Sequence, residues 1–145
     1  MSKVAIFKWK EVGEVMVTAF TSGTVSTETW DAYVRALKTK PIRKTIALGL
    51  GTVELSSVQR KYASDVVKER KIVSIVVTND RFVRGLVTVG AWLGADVKAF
   101  PFDELDKAIK YLGLSPQLEG RVAEGIEEIQ HAFEGEPFAA VGGRA

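Results

Sequence analysis

The chain has no cysteine and a single histidine, His131, in 145 residues. Without thiols there is no disulfide framework, no thiolate metal site, no iron–sulfur cluster and no cysteine nucleophile. One histidine leaves no second ring within the chain for a His-based zinc site or for a Ser/His/Asp relay. His131 reads as a surface residue. No apolar run approaches the roughly 18 residues that span a bilayer, and the opening segment MSKVAIFKWKEV has no basic stretch followed by a long apolar one. These absences predict a cytoplasmic protein with no membrane span and no cofactor.

What is present is the composition of one ordinary globular domain, 46% hydrophobic and 26% charged, with 13 glycines and 4 prolines. A chain of this size buries about two-thirds of its unfolded surface, so its core needs no metal or disulfide staple. The net charge of +2 is unevenly spread: residues 1–115 hold 18 Lys and Arg against 12 Asp and Glu, whereas residues 116–145 hold 2 against 6. A basic body with an acidic tail suits docking to an acidic partner better than reading nucleic acid, because no recognition helix carrying base-reading residues is evident.

Two apolar stretches, Val4 to Trp9 and Val15 to Phe20, flank Lys10-Glu11-Val12-Gly13-Glu14, whose glycine and charges predict the turn of a β-hairpin. Ser26 or Thr27 then caps a helix with Trp30, Val34 and Leu37 on one face. Ile42 to Leu50 reads as a strand. Gly49, Gly51 and Thr52 turn the chain, and Ser56-Ser57 opens a second helix with Val58, Tyr62 and Val66 on one side. Ile72 to Val77 is apolar at every position but Ser74, the near-continuous run of a central parallel strand buried on both faces.

Thr78-Asn79-Asp80 starts a third helix with Phe82, Leu86, Val89 and Leu93 inward. A short strand, Val97 to Phe100, precedes an Asp103-capped helix carrying Leu105, Ala108, Ile109 and Leu112. Gly113 ends that helix. Ser115 and Pro116 form a cap and first helical position for residues 116–134, in which Leu118, Val122, Ile126, Ile129 and Phe133 are apolar and Gly120 and Gly125 are weak points. Residues 135–145, rich in Gly and Ala, read as a disordered tail. The order ββαβαβαβα plus a terminal helix predicts a sheet covered on both faces.

Four places in this order carry a family resemblance. They are Gly23-Thr24-Val25-Ser26, Ile42 to Leu50 with Leu55-Ser56-Ser57, Ile75-Val76-Val77-Thr78-Asn79-Asp80-Arg81-Phe82, and Asp96 to Leu112 with its Glu104-Leu105-Asp106 helix. Over residues 3–113 the pattern resembles the STAS superfamily and its SpoIIAA-like branch, the domain of anti-anti-sigma factors. The resemblance implies an α/β fold with a mixed sheet of about five strands, an N-terminal β-hairpin, four covering helices and, here, an extra C-terminal helix. The STAS-like domain would occupy residues 1–115 and the accessory helix residues 116–134.

It also implies a regulatory, non-catalytic module that binds another protein, kinase-like or otherwise regulatory, through the loop and helix start around Ser56 and Ser57. In anti-anti-sigma factors that place carries Asp-Ser-Ser-Gly, whose serine is phosphorylated. Here Leu55 replaces the Asp, Val58 replaces the Gly, and the matching serine is Ser56 or Ser57. Thr52, Glu54, Gln59, Arg60 and Lys61 complete the expected contact surface. A phosphate at such a helix start meets free N–H groups, with Arg60 and Lys61 one turn on.

Other readings compete. SpoIIAA-like domains are similar in fold to lipid-carrying CRAL-TRIO domains, so Trp30, Phe82 and Trp92 are candidate walls of an apolar-ligand pocket. Gly49-Leu50-Gly51 follows a strand, but Glu54 stands where a dinucleotide fingerprint needs its third glycine. The carboxylate pairs Asp103/Asp106 and Glu127/Glu128 suit acid–base work only if buried and convergent. Basic clusters at Arg35, Lys38, Lys40, Arg43 and Lys44 and at Lys68, Arg70 and Lys71 fall where helix C-termini attract cations. Finally, the apolar stripe of the terminal helix has three uses, covering the sheet, pairing with a second copy as a homodimer or docking on another protein.

Overall fold

A computed structural model describes residues 3–81, 84–85 and 96–133. The elements are β1 (Phe7–Val12), β2 (Val15–Phe20), β3 (Gly23–Thr24), α1 (Thr27–Thr39), β4 (Lys44–Gly49), β5 (Val53–Glu54), α2 (Ser57–Glu69), β6 (Val73–Thr78), β7 (Val97–Phe100), a 3-10 turn at Phe102–Glu104, α3 (Leu105–Tyr111) and α4 (Pro116–His131). The main sheet has five strands in the order β1-β2-β4-β6-β7, with β1 antiparallel to β2 and the other neighbours parallel. This is the mixed α/β architecture expected from the sequence, with four α-helices among the described residues.

The hairpin is tighter than the charge pattern suggested. Lys10, Glu11 and Val12 belong to β1, Val12 pairs with Val15, and only Gly13 and Glu14 form the loop. Gly13 has φ +57, the first-position conformation that two-residue hairpin loops reserve for glycine. Lys10 and Glu11 sit in a strand because that strand is the sheet edge, where charged side chains reach solvent. A second sheet, β3 paired in parallel with β5, was not legible as strands, since each is only two residues long.

One sheet face, bearing Val15, Val17, Ala19, Ile46, Leu48, Ile75, Val77 and Phe100, packs against α3 and α4 through Ala108, Ile109, Leu112, Val122, Ile126, Ile129 and Phe133. The opposite side places Met16 against Trp30, Tyr33, Val34 and Leu37 of α1 and Val66 of α2. Strand β6 lies between β4 and β7 as a central parallel strand should, although Ser74 and Val76 are only half-buried. Burial pushes the Tyr33 phenol above its ordinary value, against a smaller lowering by the hydrogen bond from Thr18.

Helix α4 uses its stripe internally. Val122, Ile126 and Ile129 are buried in the core, so the stripe that suited a homodimer is already covered by the chain's own sheet. Gly125 permits the approach: a Cβ there would stand 3.0 Å from Val12 Cγ2. Ser115 caps α4 with Pro116 at its start, as the sequence indicated. Helix α3 starts differently, because Asp103 falls inside the 3-10 turn and makes no side-chain cap. Of the expected third helix, Arg81, Arg84 and Gly85 are helical, while Phe82, Leu86, Val89, Trp92 and Leu93 lie outside the described residues, as does the tail 135–145.

Candidate functional site

The crossover loops leave the parallel strands at their carboxyl edge, the side on which open α/β sheets place their sites. Here the loops bind one another. The Thr52 amide donates to Ser22 Oγ at 2.9 Å, its hydroxyl donates to Asp80, and Asn79 Oδ1 accepts from the Phe102 amide at 3.0 Å. Gly49 and Gly51 serve the same close packing. A Cβ on Gly49 would press on Phe20 and Thr78 at 3.1 Å, and one on Gly51 would collide with Ser22 Oγ at 2.3 Å. The glycines therefore have a steric role in joining loops.

Below this shelf, the chain start pairs with β3 through Ala5 N to Thr24 O at 2.8 Å and Thr24 N to Lys3 O at 2.7 Å, and Gly23 N donates to Thr52 O at 3.1 Å. Three short segments thus hold the starts of α1 and α2 side by side. Ser26, rather than Thr27, caps α1.

At α2, Ser56 is the N-cap. Its Oγ accepts from the Gln59 amide at 3.1 Å, and its own amide donates to Gln59 Oε1 at 2.9 Å, a reciprocal capping box. Gln59 does more than cap: Nε2 donates to Val25 O at 2.8 Å, and its carbonyl accepts from the Trp30 indole N–H at 2.8 Å. Gln59 therefore locks α2 to α1.

The seven residues expected at the site divide accordingly. Thr52 and Gln59 do not present free side chains, because internal hydrogen bonds hold both. Glu54, Ser56, Ser57, Arg60 and Lys61 are exposed. Arg60 folds back so that Nη1 donates to Leu55 O at 3.0 Å beside the helix start, and Lys61 pairs with Asp65 at 2.8 Å. Val58, placed on the inner side by helical spacing, is 76% exposed. The inner face instead runs through Gln59, Tyr62, Ala63, Val66 and Val67. At the first turn a polar side chain makes the inward contact, and an apolar periodicity count cannot register it.

Capping separates the two serines. Ser56→Ala removes the hydroxyl that satisfies the Gln59 amide and should lower stability by about 1 kcal/mol, whereas Ser57→Ala should change it by no more than a few tenths. Urea unfolding of the two variants measures both.

The competing sites fare differently. Trp30 is a core residue, edge-on to Phe7 at 5.6 Å between ring centroids and tilted against Tyr33 at 5.5 Å. Its proposed pocket partners Phe82 and Trp92 lie outside the described residues. A cavity of about 170 Å³ between α4 and β1 is lined mainly by charged groups, Lys10, Glu11, Arg121, Glu124 and Glu128. That lining suits no apolar ligand. Asp103, Asp106, Glu127 and Glu128 are all exposed, and Glu128 pairs with Lys10, so neither carboxylate pair forms a buried acid–base centre. No helix among the described residues is long and apolar enough to cross a membrane.

The contacts that sequence reasoning missed are Ser22 to Thr52 and Thr52 to Asp80, 30 and 28 residues apart in the chain. Only the sheet order brings them together. No protein-family model matches the chain, and no curated protein matches it.

Proposed function

We propose that this chain is a cytoplasmic regulatory module, of the kind its resemblance to anti-anti-sigma factors suggests, that binds another protein through the N-terminus of α2 and performs no catalysis. The observation that carries the reading is the exposed Val58, beside the exposed Ser56 and Ser57. An apolar side chain presented at the tip of a helix whose base is cross-linked to its neighbours is a preorganised contact, and preorganisation reduces the entropy lost on binding.

The same geometry supports control by phosphorylation at Ser57 rather than Ser56. Ser57 is the first helical residue, and its hydroxyl makes no hydrogen bond among the described residues. A phosphate there would gain from the helix dipole and from the Arg60 guanidinium. Phosphate on Ser56 would instead disrupt the capping box and the link to α1.

Affinity capture from native lysate, read by mass spectrometry, tests the reading. Wild type and a variant with a remote charge change, Glu69→Gln, should retain one stoichiometric protein that both Val58→Asp and Ser57→Asp lose by tenfold or more. Capture of no stoichiometric protein, or equal capture by all four, would refute it.

A further inference from the structure

We propose that the opposite end of the molecule, the amino edge of the parallel strands, is a docking surface for an anionic lipid bilayer. Helices α1 and α2 both end there, and the fold merges the two basic clusters of the sequence into one. Arg70 reaches across from α2 and donates to Leu37 O at 2.5 Å and Lys40 O at 2.7 Å at the end of α1. The Arg43 carbonyl accepts from Val73 N at 3.1 Å, which sets Arg43 beside the strand that follows Lys71.

Helix-dipole chemistry accounts for Arg70 and for Lys44, whose Nζ donates to Leu112 O at 2.5 Å at the end of α3, since both bind terminal carbonyls. It leaves the rest unexplained. Lys38, Lys40, Lys68 and Lys71 are exposed, and their side chains make no ion pair or hydrogen bond among the described residues. Arg43 has Glu14 at 3.6 Å, Lys110 has Glu119 at 3.4 Å, and Glu11, Glu69 and Asp96 also lie toward this edge. Positive charge predominates.

The surface offers charge and little else. Among the described residues, α1 and α2 carry no exposed aromatic side chain on which a nucleic-acid base could stack. Its one half-buried guanidinium already holds two carbonyls, and its other guanidinium groups, on Arg35 and Arg43, are on exposed side chains rather than the buried aromatic and Arg anchors that dominate protein–protein hot spots. An anionic bilayer needs no such anchor, because each Lys or Arg near its surface contributes independently. The orientation is also productive. Helix α2 spans 13 residues, so its Ser56 end stands about 20 Å from the bilayer, facing away from it.

Co-sedimentation of the full chain with vesicles tests this, using one part phosphatidylglycerol to two parts phosphatidylcholine against phosphatidylcholine alone. At low ionic strength the chain should bind the first and not the second, and added salt should release it. Lys38→Gln/Lys40→Gln/Lys68→Gln should weaken binding on the order of a hundredfold, with an unchanged melting profile showing that it folds. Val58→Asp, at the far end, should bind vesicles as wild type does. The proposal is overturned by absence of binding to the anionic vesicles, by equal binding of the triple variant, or by displacement from vesicles by polyglutamate or single-stranded DNA at equal charge concentration.

Discussion

Cutting the chain after Ser115 should abolish cooperative folding rather than release an intact domain from a dispensable helix. Helix α4 and the residues just after it supply Val122, Ile126, Ile129 and Phe133 to the core, each no more than 6% exposed. Each such side chain is worth about 1.5–3 kcal/mol of burial, so together they approach the roughly 5–15 kcal/mol by which a whole domain is stable. The loss is larger than that sum, because Val12, Val15, Val17 and Ala19 would be uncovered on the sheet. Circular dichroism and a urea titration of residues 1–115 should show no sigmoidal transition. A cooperative transition with a midpoint near that of the full chain would show that the sheet is self-sufficient.

Gly23→Ala should be among the most damaging single substitutions. Gly23 has φ +131, a conformation that side-chain-bearing residues rarely adopt, and a Cβ there would lie 2.3 Å from Lys3 O and 2.7 Å from Ala5 N. Both neighbours are backbone atoms, so no rotamer change relieves the clash. A loss of about 3 kcal/mol is expected, at the upper end of ordinary single substitutions. The damage should reach α2, since β3 pairs with β5 immediately before the helix start. Amide exchange of Gln59 should accelerate with that of Thr24. The control is Gly120→Ala on the exposed side of α4, where a Cβ meets nothing within 4 Å and stability should rise by up to about 1 kcal/mol. Equal effects of the two substitutions would remove steric close approach as the reason for Gly23.

The helices and strands were legible where their signal is local. Trp30, Val34 and Leu37 lie on the buried face of α1 as their spacing required, Ser115 and Pro116 begin α4, and Gly113, at φ +65, stands just beyond the end of α3. Local capping chemistry and periodicity are short-range causes, and a sequence displays them directly. Val58 misled because periodicity ranks residues by apolarity alone, whereas Gln59 turned inward to satisfy Val25 O. The site was half legible. Two serines at a helix start are visible as a cap, but which serine holds the cap depends on where the capping box closes.

The sequence by itself determined an α/β chain with a hairpin first, strands and helices alternating after it, no thiol chemistry and a basic body. The tertiary structure alone decided three things. It joined the basic clusters of α1 and α2 at one edge, it locked Thr52 and Gln59 into internal hydrogen bonds, and it laid α4 on the sheet instead of leaving its stripe for a second copy. The reason is common to all three: each depends on which strands lie side by side, and that order is set by burying both sheet faces at once, a condition on the whole chain that no local window contains.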